Sequence, residues 1–509
     1  MGKKAVFLNP PFKYRYSREM RSPAVTKSGT LYYPMWLAYA AGYTQDAGIE
    51  IDLIDAPPKG LYGEELYNKI KNDDPFLLVM ETSTPAIDFE AKVAKEIKDY
   101  IGDDLFVILV GTHVTALPNE VMNKYPWVDA VAVGEYDETI RELALALKEG
   151  KDPVSVKGMV LRQEDGTLKH TGVRPLIEDL DKLPWVSKIY KQFLDYKDYF
   201  YSHSRHPIVT IVTGRGCPYQ CTYCVLPQTM MGHKYRVRSI DDVVGELLWI
   251  QENFPDVEEI MIEDDTLTVN KKRVIELSKK LIEAGFKIPW SANSRADVDE
   301  EALIWMRKAG CRLLCVGFES ADQKILDNIK KNIKVEQYFK FREATKKAGI
   351  MVHGCFMVGN KGETKETLRK TLELAKKLNT DTVQFFPIMV YPGTEAYEWA
   401  KQNNYLDTTD FSEWLTEEGW HKCVVSTEEV TSEELVEFCD QARIEYYLRP
   451  AYIWYKLVQS IKNPEEGKRN LKSFKTFFKY LIKAILGVRF RLKPFRPRYE
   501  VKKEVKKAS

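Results

Sequence analysis

The sequence predicts an α/β protein of several domains, and three observations carry that reading. Short apolar runs of strand length alternate with helix-period segments within residues 1–150 and again within 206–405, the pattern of parallel sheets flanked by helices. Beyond about residue 405 the pattern turns helical. The chain has 509 residues, more than one hydrophobic core serves.

Composition narrows the function classes. Hydrophobic residues make up 44% and charged residues 29%, a globular balance. The 75 Lys and Arg against 74 Asp and Glu give a net charge of +1, which argues against whole-chain binding to nucleic acid. The basic charge is local: residues 451–509 hold 17 basic and 4 acidic residues, +13, which leaves −12 for the rest. No apolar run reaches the 18 or so residues of a membrane span and no signal-peptide core follows Met1, so the chain is expected in the cytoplasm. Eight cysteines are too sparse for a disulfide scaffold and direct attention to metal or redox chemistry.

In the first 150 residues, Ala5 to Leu8, Ile49 to Ile54, Phe76 to Met80, Leu105 to Val110 and Ala130 to Val133 read as buried strands. The helical segments between them complete an open, doubly wound, Rossmann-like sheet, whose ligands bind at the C-terminal strand ends. Those ends carry Asn9-Pro10-Pro11, Asp55, Thr82-Ser83-Thr84, Gly111-Thr112-His113-Val114-Thr115 and Gly134-Glu135. Small and hydroxylated residues there suit a polar ligand, or serve only as tight turns. No G-x-G-x-x-G follows the first strand, which argues against a dinucleotide.

The strand-like His206 to Thr213 runs into Gly214-Arg215-Gly216-Cys217-Pro218-Tyr219-Gln220-Cys221-Thr222-Tyr223-Cys224. Three thiols at C-x3-C-x2-C spacing on so short a loop can face one centre, with no fourth cysteine nearby. A [4Fe–4S] cluster held this way keeps one iron open, whereas zinc would want a closed set of four, with His233 the local candidate for the fourth ligand. Cys311, Cys315, Cys355, Cys423 and Cys439 lie in apolar patterns and read as core.

The cysteine motif, with Tyr223 before its last member, resembles the radical S-adenosylmethionine (SAM) superfamily. The resemblance implies a [4Fe–4S] cluster on Cys217, Cys221 and Cys224. In that family SAM chelates the open iron, and one electron from the cluster cleaves its sulfonium to a 5′-deoxyadenosyl radical. Five further strands, at Glu259 to Ile262, Pro289 to Ala292, Arg312 to Gly317, Met351 to Val358 and Thr382 to Ile388, match that family's partial (β/α)6 TIM-type barrel. A helix capped by Ser239 and Asp242 precedes them. The resemblance implies SAM contacts from Tyr223, from Glu263 and Asp264 to the ammonium, from Ser291 and Asn293 to the ribose, and from Arg295 to the carboxylate. Glu319 could hold a ribose hydroxyl or pair with Arg295. His353 could face the substrate or belong to the core. Asn360-Lys361 stand where related enzymes commonly carry Leu-Pro before Gly362-Glu363-Thr364.

A doubly wound domain before such a barrel resembles the cobalamin-binding branch, and Val110 to Pro118 matches its loop. This implies cobalamin contacts from Thr82, Ser83, Thr84, Gly111, Thr112, His113, Gly134 and Glu135. The D-x-H-x-x-G signature is absent, so His113 is not assigned as a cobalt ligand. Tyr33 to Ala38, Leu53 to Pro58, Gln228 to Arg236 and Val352 to Gly354 resemble the subgroup of the hopanoid cyclitol-forming enzyme and calditol synthase.

The domain reading is a cobalamin-binding domain at 1–150, a linker at 151–205, a radical SAM barrel at 206–405 and a helical C-terminal region with a basic tail at 406–509. Within the last, Ser473 to Phe490 reads as a basic amphipathic helix that could pack on the barrel or rest on the inner face of a membrane. The expected activity is hydrogen abstraction from an unactivated carbon, of a lipid-linked polyol or sugar, with rearrangement or bond formation. The alternatives are C-methyl transfer and, in another class, a zinc-stabilised binding module. Expected partners are a small-molecule or lipid-linked substrate and a one-electron reductant such as a flavodoxin or ferredoxin, with no nucleic acid.

Overall fold

The computed structural model describes residues 2–13, 15–18 and 21–471. Strands β1 (Lys4–Asn9), β2 (Ile51–Asp55), β3 (Pro75–Glu81), β4 (Phe106–Val110) and β5 (Ala130–Ala132) pair in parallel in the order β2-β1-β3-β4-β5. Every residue of β3 is buried, as its continuous apolar run requires of a strand covered on both faces. The chain reverses its winding between β1 and β3, which opens a crevice beyond their C-terminal ends.

Residues 151–205, expected as a linker, extend this sheet. Strands β6 (Met159–Arg162) and β7 (Leu168–His170) continue it beyond β5 in antiparallel fashion. The run Leu168-Lys169-His170 sits on the sheet's edge, exposed from Lys169 onward, so it lacks the apolar signature of a buried strand. The same segment is tied to β2, where Tyr199 Oη donates to Asp55 Oδ2 at 2.6 Å.

Strand β8 (Ile208–Ile211) leads into a short ribbon in which β9 (Gly214–Arg215) pairs antiparallel with β10 (Arg236–Val237). Five strands follow: β11 (Glu259–Ile262), β12 (Trp290–Ser294), β13 (Cys311–Gly317), β14 (Met351–Val358) and β15 (Thr382–Pro387). With β8 they form a parallel six-stranded sheet in chain order, a half-barrel with β8 and β15 at its edges. The predicted cap forms: Ser239 Oγ accepts the Asp242 amide at 3.2 Å.

His353 belongs to the core. It stacks on His203 with ring centroids 5.1 Å apart, near the N-terminal end of β14 and far from the cysteine loop. Below the pair, Glu466 accepts from Arg312 Nη1 at 3.1 Å and Arg469 Nε at 2.8 Å. Residues 406–431, expected to be helical, hold only a short 3-10 turn, Phe411–Trp414, and two isolated pairings. Helices follow at Ser432–Tyr447 and Pro450–Lys462. The predicted helix Ser473 to Phe490 and the basic tail lie outside the described residues. Among the described residues no helix is long and apolar enough to cross a membrane.

Candidate active site between the two sheets

The β9–β10 ribbon closes the loop that carries the three cysteines. Gly216 has φ +84°, and a Cβ there would lie 2.3 Å from Lys234 O, so only glycine fits. Gln228 Nε2 donates to the carbonyls of Cys221, Thr222 and Cys224 at 3.2, 3.1 and 2.8 Å, which holds the loop's second half from inside. His233, the candidate zinc ligand, turns Nδ1 to the carbonyls of Cys217 and Tyr219 at 3.2 and 3.1 Å. Among the described residues no three His, Cys, Asp or Glu side chains form a site for a single ion.

Two cations flank the thiols. Lys331 Nζ donates to Glu319 Oε1 at 2.8 Å and to Tyr223 Oη at 3.1 Å. Arg295 lies 3.6 Å from the Tyr219 ring centroid and donates to Lys331 O at 2.8 Å. A hydrogen bond with Cys224, helped by the charges of Lys331 and Arg295, holds the Cys221 thiol below the usual range. Three thiols, one of them biased to thiolate, fit the donor set of an iron–sulfur cluster.

The residues predicted at the barrel mouth separate into two groups. Glu263 Oε2 accepts from Asn293 Nδ2 at 3.0 Å and from Arg21 Nη1 at 3.1 Å; Arg21 also reaches Asp265 Oδ1 at 3.2 Å. Glu263, Asn293 and Asp265 therefore form a polar mouth that already holds one cation. Asp264 is spent internally, accepting from the Thr213 amide at 2.6 Å, Thr213 Oγ1 at 2.7 Å and Tyr235 Oη at 2.8 Å. Ser291 is deeper than expected: fully buried, it donates to Glu259 Oε1 at 2.6 Å in the barrel interior. Glu319 does not pair with Arg295, whose guanidinium goes to Asp297 and the Lys331 and Asn332 carbonyls. It pairs with Lys331, and its carboxylate occupies the space a Cβ on Gly317 would need, 2.2 Å away.

At the N-terminal sheet the predicted cleft residues are mostly engaged. Thr82 Oγ1 donates to Val110 O at 2.8 Å, and Ser83 Oγ donates to the fully buried Glu90 at 2.8 Å. Gly111, at φ +123°, lets β4 end against Thr82 O, 2.8 Å from where a Cβ would lie. This is the turn-making role. His113 Nδ1 meets Thr84 Oγ1 at 3.2 Å, its ring lies edge-on to Phe411, and burial lowers its pKa to about 3, so it stays neutral. Gly134 is half-exposed with open space where a Cβ would stand, its amide held by Thr115 Oγ1 at 3.2 Å. Thr112 opens the helix Thr112–Ala116 beside it.

The two sheets meet through charge. Arg215 Nη1 lies 2.8 Å from Glu135 Oε1 and 2.7 Å from Asp137 Oδ2, and Arg236 Nη1 lies 2.8 Å from Glu135 Oε2. A small cavity lies between the β3 end and the barrel mouth, lined by Arg18, Arg21, Tyr32, Trp36, Glu81 and Glu263 among others. Sequence reasoning missed Arg21, Lys331 and Gln228. Gln228 sits in a segment already singled out by resemblance, while the other two carry no local signal.

A doubly wound domain whose crevice faces a half-barrel bearing three clustered cysteines defines a two-domain cofactor enzyme. The radical SAM superfamily profile matches residues 211–375 and the B12 binding domain profile residues 21–144. The chain is 32% identical over 423 residues to the uncharacterized methyltransferase PH0819 of Pyrococcus horikoshii, covering 83% of this chain and 89% of that one. It is 27% identical over 455 residues to the anaerobic magnesium-protoporphyrin IX monomethyl ester cyclase of Rubrivivax gelatinosus, covering 88% and 79%. The structure of TsrM from Kitasatospora setae, a radical S-adenosylmethionine methyltransferase with cobalamin and a [4Fe-4S] cluster bound, superposes with a TM-score of 0.66 at 16% identity, covering 89% of this chain and 92% of that one. The chain belongs to the radical SAM superfamily, in the branch that carries a B12-binding domain. It is an enzyme whose cofactors are SAM, a [4Fe–4S] cluster and cobalamin.

Proposed function

We propose that the chain is a cobalamin-dependent radical SAM methyltransferase acting on an unactivated carbon of a small molecule. The observation that carries this reading is the meeting of the two cofactor loops. The helix Thr112–Ala116, at the end of β4, packs against Pro227–Met231, which directly follows the third cysteine. Support also comes from relatives named as methyltransferases, PH0819 and the cytidylyl-2-hydroxyethylphosphonate methyltransferase of Streptomyces wedmorensis.

In this reading Cys217, Cys221 and Cys224 hold the cluster. Glu263 orients the SAM ammonium and Asn293 the ribose, and Arg21 leaves the Glu263 carboxylate when SAM binds. Tyr223, Glu319, Lys331 and Arg295 set the charge around the thiols; Asp264 and Ser291 hold the barrel frame. Thr112, His113 and Gly134 face cobalamin, with Thr82, Ser83, Thr84, Gly111 and Glu135 shaping the crevice behind them. When bound, the cofactors supply one-electron cleavage of a sulfonium and carriage of a methyl group. A low-potential one-electron donor such as a flavodoxin or ferredoxin is required.

A second reading keeps hydrogen abstraction followed by rearrangement or bond formation, on a lipid-linked polyol or sugar; a relative named as a cyclase favours the bond-forming step, not that substrate class. Membrane contact belongs with that reading. Its support among the described residues is an exposed apolar stripe on Pro450–Lys462, where Trp454 is 69% and Ile461 81% exposed.

The test is anaerobic reconstitution with iron, sulfide, cobalamin and reductant, followed by quantification of 5′-deoxyadenosine and S-adenosylhomocysteine with candidate substrates. Equal amounts of both products support methyl transfer. 5′-Deoxyadenosine alone, with substrate consumed, overturns it in favour of the second reading.

A further inference from the structure

Glu135 and Asp137 follow β5 directly, beside Gly134, yet both give their carboxylates to the barrel half of the molecule. Arg215, fully buried, donates Nη1 to both and Nη2 to Asp137 Oδ1 at 3.1 Å. Its guanidinium lies about equally over Trp36 and Tyr39, 5.1 and 4.9 Å from their centroids. Two residues later in the chain comes Cys217. Arg236, paired with Arg215 across the ribbon, shares Glu135 and also donates to Met231 O at 3.1 Å, in the turn that the Thr112–Ala116 helix touches. Burying four charges at a domain boundary is costlier than burying apolar groups of the same size. What the charges add is fixed, forked geometry between the C-terminal end of β5 and the backbone entering the cysteine loop.

We propose that Glu135 and Arg215 are positioning residues that couple the two cofactor sites: a cofactor seated at the C-terminal end of β5 fixes Glu135, and through Arg215 fixes the strand that presents Cys217. The proposal rests on the reading that the three cysteines hold the cluster and that cobalamin occupies the crevice at Gly134. Coupling between two binding sites is reciprocal, so each cofactor tightens the other by the same factor.

The experiment uses the full chain, reconstituted without oxygen, and follows iron release to an excess chelator with and without hydroxocobalamin. In the wild type cobalamin slows release about tenfold, and the cobalamin Kd falls when the cluster is loaded, by a factor of about five or more, within the usual range for coupled sites. In Glu135→Gln and Arg215→Lys, iron loading is retained while cobalamin protection falls to less than about twofold. A purely structural role would lower stability in both variants and leave the protection ratio unchanged. Full protection in the variants, or none in the wild type, overturns the coupling; the wild-type pair decides even if a variant does not fold. Failure to bind cobalamin, or cluster retention in Cys221→Ala, instead overturns the reading on which it rests.

Discussion

Lys331 Nζ stands 2.8 Å from Glu319 Oε1, both side chains less than a tenth exposed, beside the loop of the three cysteines. The pair comes from two separate turns of the half-barrel, and Glu319 adopts φ +63° to make it. Removing one member strands a buried charge, which costs about 3–5 kcal/mol, whereas removing both costs far less. Lys331→Met is therefore expected to lower unfolding stability by that amount in anaerobic urea titrations. Lys331→Met with Glu319→Gln should recover more than half of it. Additive losses would contradict the pairing.

Gly216 tests the loop without touching a thiol. A methyl group there meets the Lys234 carbonyl at 2.3 Å in a left-handed backbone conformation, so neither strain nor contact can relax cheaply. Gly216→Ala is expected to bind less than about a third of the wild-type iron after reconstitution, while the N-terminal sheet stays folded and still binds cobalamin. Normal iron content would show that the ribbon does not shape the site.

Two buried groups should give opposite pH signatures. Burial lowers His353 to about 4, below its unfolded value near 6.5. Its neutral form is thus a native preference, and its contribution is complete above pH 6.5 and lost as pH falls toward 4. Burial raises Glu363 to about 7, so its contribution is complete below about 4.5 and lost as pH rises through 7. Between pH 5 and 6, wild-type stability relative to His353→Gln should fall by about 1.4 kcal/mol per unit of acidification. Relative to Glu363→Gln it should rise by a similar amount. Chemical unfolding at three pH values reads both slopes.

Both sheets were legible because strands covered on two faces are continuous apolar runs, as in Pro75–Glu81. Strands β6 and β7 escaped because they sit at the sheet's antiparallel edge and β7 is largely exposed. The cysteine loop was legible because its spacing is local. Ser291 lies inside the predicted strand Pro289 to Ala292 as well as the observed one; two residues before Asn293 on the same face of β12, it sits in the interior on Glu259 while Asn293 reaches Glu263 at the mouth. Lys331 and Arg21 were invisible because each reaches its partner through the fold, Arg21 from 242 residues away. The charges of Glu135 and Arg215 were visible as residues, but their pairing 80 positions apart was not.

The central claim is that three cysteines leave the cluster one protein ligand short, so that SAM completes it. The most direct measurement is the electron paramagnetic resonance spectrum of the reduced, reconstituted chain before and after SAM is added. A [4Fe–4S]⁺ signal whose g-values shift with SAM in the wild type, and which is absent in Cys221→Ala, is the predicted result. A signal indifferent to SAM, or one that persists in Cys221→Ala, would contradict the account.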